Sequence, residues 1–226
     1  RKDAAGEFNG KYANARIETP QGEQSFGAAY TPDILNTRAR EFLSRKRERP
    51  FFLYYANILA HHPMHTPPGQ TQANTRDEKF VQMVHHLDSL VGQIMETLSD
   101  SGQEQNTLLI FLGDNGSPGN GKGQLTEGGT RLPSLIRWPA AIKPGRQSDA
   151  LIDFSDFLPT LAEAGGVAPG TLGEIDGQSF LAHLLGRGPA PREWVFSEYD
   201  SNFFVRNDRW KLDSAGKLFD LEAREE

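Results

Sequence analysis

No cysteine occurs in the 226 residues. Structural disulfides and cysteine-ligated zinc are therefore excluded. Positive charge is in short supply: the formal net charge is −6, which argues against a nucleic-acid binder relying on a broad basic face. A local basic pocket for a small anion stays open. Apolar runs of membrane-spanning length are missing, and no signal-peptide pattern is visible. Glycine and proline are plentiful, at 23 and 14, so many turns are expected. A hydrophobic share of 37% supports one sizeable core with a small appendage. The opening RKDAAGEFNG reads as the middle of a surface loop, and we expect the chain to be a piece of a larger one.

The chain is organised around Thr107 to Pro133, TLLIFLGDNGSPGNGKGQLTEGGTRLP. Thr107 to Leu112 is apolar on both faces, as a buried parallel strand requires. It breaks into a Gly-rich loop carrying Asp114, Asn115 and Lys122. Open α/β sheets place ligand sites just beyond the carboxyl ends of their strands. Asp and Asn offer hard oxygens suited to calcium or magnesium, and Lys122 offers a cation to an anionic group. For GDNG alone, a polar surface turn is the plainer reading. Glu127 and Arg131, further along, read as structural, with Arg131 pairing an acid to hold the loop.

Phe51 to Ala56, FFLYYA, is a second buried-strand candidate. His61, His62 and His65 follow, broken by prolines that rule out a regular helix. If the two strands are parallel neighbours, both polar clusters share one sheet edge. An amphipathic helix is expected between them from about Asp77 to Ser99, with Phe80, Val84, Leu87, Val91, Ile94 and Leu98 as its apolar stripe. Strand, helix and strand would then form a right-handed βαβ crossover. His85 and His86 are adjacent on that helix and point about 100° apart, so they suit surface or packing roles.

Residues 1–30 read as polar loop or as a partly disordered connection. Thr31-Pro32-Asp33 starts a helix to about Lys46, with Thr31 as its cap and Ile34, Leu35, Phe42 and Leu43 as its buried stripe. The basic run Arg45 to Arg49 reads as a solvated face. Leu135 to Trp138 reads as a short strand. Asp149 to Ala164 reads as a helix that Pro159 either delays until about Phe157 or kinks. Ser179 to Leu185 forms a short helix with His183 at the surface. From Glu193, VFSEY, FFVRND, RWKLD and KLFDL read as antiparallel strands with turns at Asn207-Asp208 and Ser214-Ala215-Gly216. The expected division is 1–190, part of an α/β domain with a mostly parallel sheet flanked by helices, and 191–226, a small antiparallel subdomain.

The order and spacing of GDNG…GKGQLTEGGTRLP resembles the type I sulfatases, a branch of the alkaline phosphatase superfamily. RPFFLYYA with HHPMHTP, IDFSDFLPTLAEAGG and the closing FVRNDRWKLDSAGKLFDLEAREE extend the likeness over about Tyr30 to Glu226. The resemblance implies calcium held by Asp114 and Asn115, and Lys122 on the sulfate ester. His61 would serve at the leaving-group oxygen, and His65 would touch substrate. It also implies a formylglycine nucleophile made from Cys or Ser in a Cys/Ser-x-Pro/Ala-x-Arg motif. No Cys exists here and no Ser stands in that pattern. The early strand with an acidic pair is absent too.

The expectation is thus the C-terminal part of a sulfuric ester hydrolase acting on aryl or carbohydrate sulfates. It carries the calcium and leaving-group side, and the missing N-terminal part is its partner. Alone, it is expected to be inactive. Periplasmic or secreted placement follows only from the family's habit and from the calcium. A phosphodiesterase or phosphonate monoester hydrolase of the same superfamily is the second reading. Those often show Asp-His where this chain has Asp114-Asn115, and nitrogen ligands suit zinc or manganese rather than calcium. A non-catalytic module binding sulfated glycans is the third.

Overall fold

The computed structural model describes residues 10–117, 119, 121–168 and 170–222. Two compact units divide the chain, Arg1–Gln105 and Asn106–Glu226. The sequence-based boundary near 190 falls inside the second.

The first unit opens on a hairpin, β1 (Arg16–Thr19) and β2 (Gly22–Ser25). Residues 1–30 had been expected as loop. Four-residue strands with polar side chains leave almost no periodic signal, which is why the pairing was not anticipated. Helix α1 (Thr31–Leu43) carries a proline in its first turn, but its N-cap is Tyr30 and not Thr31, whose hydroxyl makes no cap. The face it buries is Pro32, Asn36, Ala39 and Leu43, so only Leu43 of the expected stripe is fully covered. Asn36 is 1% exposed; its Nδ2 donates to Gln93 Oε1 at 2.9 Å, while its Oδ1 is buried with no partner among the described residues.

Helix α2 (Arg76–Asp100) starts at a capping box that T-x-x-E spacing makes readable: Thr75 accepts from the Glu78 backbone while Glu78 reaches back to the Thr75 N–H. Its buried face is Met83, Leu90, Ile94, Thr97 and Leu98. Of the expected stripe, Phe80 and Val84 lie exposed. The helix is apolar on more than one face, and period alone does not choose which one is covered. Met83 and Leu90 join Tyr12, Tyr30 and Leu59 in this unit's core, with Ile58, Met64 and Leu87 packed against it. The histidine loop is therefore seated on α2.

Phe51–Ala56 takes no regular secondary structure and belongs to no ladder among the described residues. Phe52 is 70% and Tyr54 81% exposed, with their neighbours half-buried. One face of the segment is covered and the other is not. The buried-on-both-faces reading, and the βαβ crossover built on it, is corrected for these residues.

The second unit begins with β3 (Leu109–Leu112), whose partner is β4 (Ser134–Arg137) in an antiparallel ladder pairing Leu109 with Arg137 and Leu112 with Ser134. The Gly-rich loop fills the space between them and contains α3 (Glu127–Thr130). Asp153 and Asp156 form a capping box around a 3-10 turn, Phe154–Asp156, that leads into α4 (Phe157–Ala164). Pro159 thus sits in the first turn of α4, as expected. After α5 (Leu181–Leu184) come β5 (Val195–Tyr199), β6 (Asn202–Arg206), β7 (Trp210–Asp213) and β8 (Leu218–Asp220), in that order across one antiparallel sheet. All four C-terminal strands and both turns match the sequence reading.

Candidate active site

Asp114 and Asn115 follow β3 after Gly113, and both are exposed. Their loop folds back on itself: Ser117 bridges Gly121, and the Lys122 N–H donates to Ser117 O at 3.2 Å. Two glycines permit this closure. Gly121 has φ 101°, and a Cβ there would lie 2.1 Å from the Gly128 carbonyl carbon. A Cβ at Gly129 would meet Gln124 O at the same 2.1 Å. The loop before Lys122 and the helix of the EGG motif are packed backbone to backbone, which only glycine allows. Lys122 emerges from that seat, exposed.

Two cations of the C-terminal sheet hold the loop from below. Arg206 of β6 donates to Glu127 Oε1 at 2.7 Å, with both side chains mostly covered. Lys211 of β7 is 7% exposed, and its Nζ donates to Leu125 O at 2.8 Å. Arg131 lies 3.6 Å from Asp149 across an exposed surface, so it and Glu127 take the structural parts expected of them. Against this background the side chains of Asp114, Asn115 and Lys122 stand apart. Among the described residues they make no hydrogen bond or ion pair. The sheet's part in holding the loop was not legible in sequence, because Arg206 and Lys211 are some 80 residues from their partners.

In the first unit, His61, His62 and His65 have different fates. His61 is exposed. Its Nδ1 lies 2.6 Å from Lys11 Nζ. His62 Nε2 meets Arg76 at 3.2 Å. His65 is half-buried and fully engaged: Nδ1 donates to Pro63 O at 3.0 Å, and Nε2 accepts from Tyr30 Oη at 2.7 Å. Burial pulls its pKa below the usual imidazole value, which favours the neutral ring. Tyr12, 2% exposed, packs against His65 with centroids 4.1 Å apart and the rings tilted by 42°. Its hydroxyl reaches Ile58 O at 3.0 Å and His61 O at 2.5 Å. Burial pushes the Tyr12 phenol up to about 12, which keeps it a donor across ordinary pH. His86 donates to Asp33 at 2.7 Å and packs edge-on against Tyr30, and His85 is exposed, as their spacing implied. His183 is half-buried and meets Ser148 at 2.8 Å, less exposed than expected.

No group of three or more His, Asp or Glu suited to a metal ion occurs among the described residues. The pair Asp114 and Asn115 has the donor chemistry for a hard cation but supplies only part of a shell of six to eight oxygens.

The family model described as Sulfatase matches residues 4–167. Human arylsulfatase A is 35% identical over 187 residues, which is 74% of this chain and 36% of the relative. An N-acetylgalactosamine-6-O-sulfatase of Bacteroides thetaiotaomicron is 31% identical, over 79% of this chain and 39% of its own length. The chain thus spans well under half of these relatives. The crystal structure of Ps i-CgsB superposes with a TM-score of 0.80 at 25% identity, covering 92% of this chain and 52% of that one. The α/β architecture expected from sequence is that of these neighbours. A match over most of the chain, made independently by family model, sequence and fold, shows that the chain belongs to the sulfatase family, within the alkaline phosphatase superfamily.

Proposed function

We propose that this chain supplies the metal-binding and leaving-group residues of a sulfuric ester hydrolase. One observation carries the reading: Asp114, Asn115 and Lys122 ride a loop braced at Glu127 and Leu125, yet their own side chains are left out of that bracing. Residues kept solely for structure would be expected to pair, as Glu127 and Arg131 do.

Asp114 and Asn115 would hold calcium through their side-chain oxygens, with the rest of the shell coming from outside these residues. Bound there, the ion would draw off charge building on the ester oxygens. Lys122 offers a compact ammonium to the anionic ester, from a backbone position that the close-packed glycines fix. His61 donates to the leaving oxygen, a contribution worth roughly 10²–10⁴-fold in comparable enzymes. For His65 to touch substrate, it would have to give up Tyr30 or Pro63. We assign it the support of the loop. The nucleophile is not among these residues, since there is no Cys and no Ser in the required pattern. Formylglycine supplied elsewhere in the protein is the reading that fits the family.

Asn beside Asp114 favours sulfate over phosphate chemistry, and the relatives named above are sulfatases. The test is the intact protein with matched aryl sulfate and aryl phosphate esters. The proposal expects kcat/KM for the sulfate to be higher by about 10²-fold or more, a gap of roughly 3 kcal/mol in transition-state binding. A preference for the phosphate would overturn it in favour of a phosphoesterase.

A further inference from the structure

The side chain of Lys11 touches the one histidine that the proposed function uses. Lys11 Nζ is 2.6 Å from His61 Nδ1 and 3.0 Å from His62 O. The same Nδ1 lies 2.9 Å from His62 O. An ammonium carries three donors and no lone pair, so at this separation the ring nitrogen must accept. Nδ1 therefore holds no proton to offer to His62 O. One ammonium bridges two acceptors, the ring nitrogen and the carbonyl, and the proton of the neutral ring lies on Nε2.

We propose that Lys11 is a positioning residue that fixes His61 as the Nε2–H tautomer, so that the ring presents a donor to the leaving oxygen of the ester. This rests on the role given to His61 above. The arrangement is held from the next residue. Tyr12 is buried, its hydroxyl grips Ile58 O and His61 O, and its own carbonyl accepts from the Thr31 N–H at 2.9 Å. Residues 11 and 12 thus strap the histidine loop, one by its backbone and one by its ring.

His65 provides the internal contrast. With no cation at its Nδ1 among the described contacts, that nitrogen donates to the nearby Pro63 carbonyl, and Nε2 becomes an acceptor. His61 has an equally close carbonyl in His62 O. Without Lys11 it is set to make the same bond, and Nε2 would turn from donor to acceptor, the wrong polarity for a leaving oxygen.

The experiment is long-range ¹H–¹⁵N correlation of the histidine rings in the 226-residue chain, at a pH of about 8 where free imidazole is neutral. Wild type is expected to show Nε2–H at His61, Lys11→Met to switch it to Nδ1–H, and Lys11→Arg to keep Nε2–H. An Nδ1–H ring in wild type would overturn the proposal, and so would a Lys11→Met ring that stays Nε2–H. In the intact enzyme, Lys11→Met should lower kcat for an aryl sulfate about 10²-fold with little change in KM, and Lys11→Arg should restore most of it. A tautomer switch with kcat unchanged would count against His61 at the leaving oxygen, not against Lys11 setting the ring.

Discussion

Arg192 and Asp156 form the most buried ion pair described in the second unit, with side chains 7% and 2% exposed and contacts at 2.8 and 2.5 Å through two guanidinium nitrogens. Burial by itself would raise the Asp156 carboxyl. The hydrogen bonds from Arg192 and from the Gln178 and Asp153 N–H groups outweigh it and hold the carboxyl below its usual value. A carboxyl lowered on folding stabilises above its unfolded pKa, and that stability is lost as pH falls through the lowered folded value. The loss belongs to the range below about pH 4. Arg192→Met leaves the carboxylate buried without a partner. It should cost about 3–5 kcal/mol at neutral pH, read as a fall in the urea midpoint of the second unit's transition. A shift under about 1 kcal/mol would show that water or another group takes over. At the residue scale, Asp114, Asn115, Lys122 and His61 stand in motif spacing that a sequence can display. Lys11, Tyr12 and Arg192 carry none, because each acts across a turn of the fold that local pattern does not encode.

Elements fared according to how much of their character is local. The four C-terminal strands and the start of α4 rest on turn residues and on Pro159, and sequence placed them closely. The covered faces of α1 and α2 depend on what packs against them, and pattern alone chose differently. Phe51–Ala56 is the sharpest case: an apolar run announces burial, but a strand exists only where a partner pairs with it. The Gly-rich loop belongs to a third kind, where function depends on an approach between elements. Gly129→Ala places a methyl within 2.1 Å of Gln124 O, so either loop or helix must move. Such a change should lower the proposed sulfatase activity of the intact protein at least 10-fold, since a displacement of about 1 Å costs on that order or more. The near-ultraviolet signal of the aromatic C-terminal sheet should persist. Unaltered activity would mean that the close packing does not fix Lys122.

At the level of the molecule, the histidine loop belongs to one compact unit and the Asp114–Lys122 loop to the other. Each is built by its own interactions: Tyr12 and α2 for the first, β6 and β7 for the second. Family membership gives a reason for both loops to persist in one chain, and the residues left unpaired give a reason to look there for chemistry. The most direct test is kcat/KM for an aryl sulfate by the intact protein, wild type against Lys122→Met. The account predicts a fall of about 10²-fold or more, the usual cost of deleting a charge that meets the transition state. An unchanged kcat/KM would contradict it.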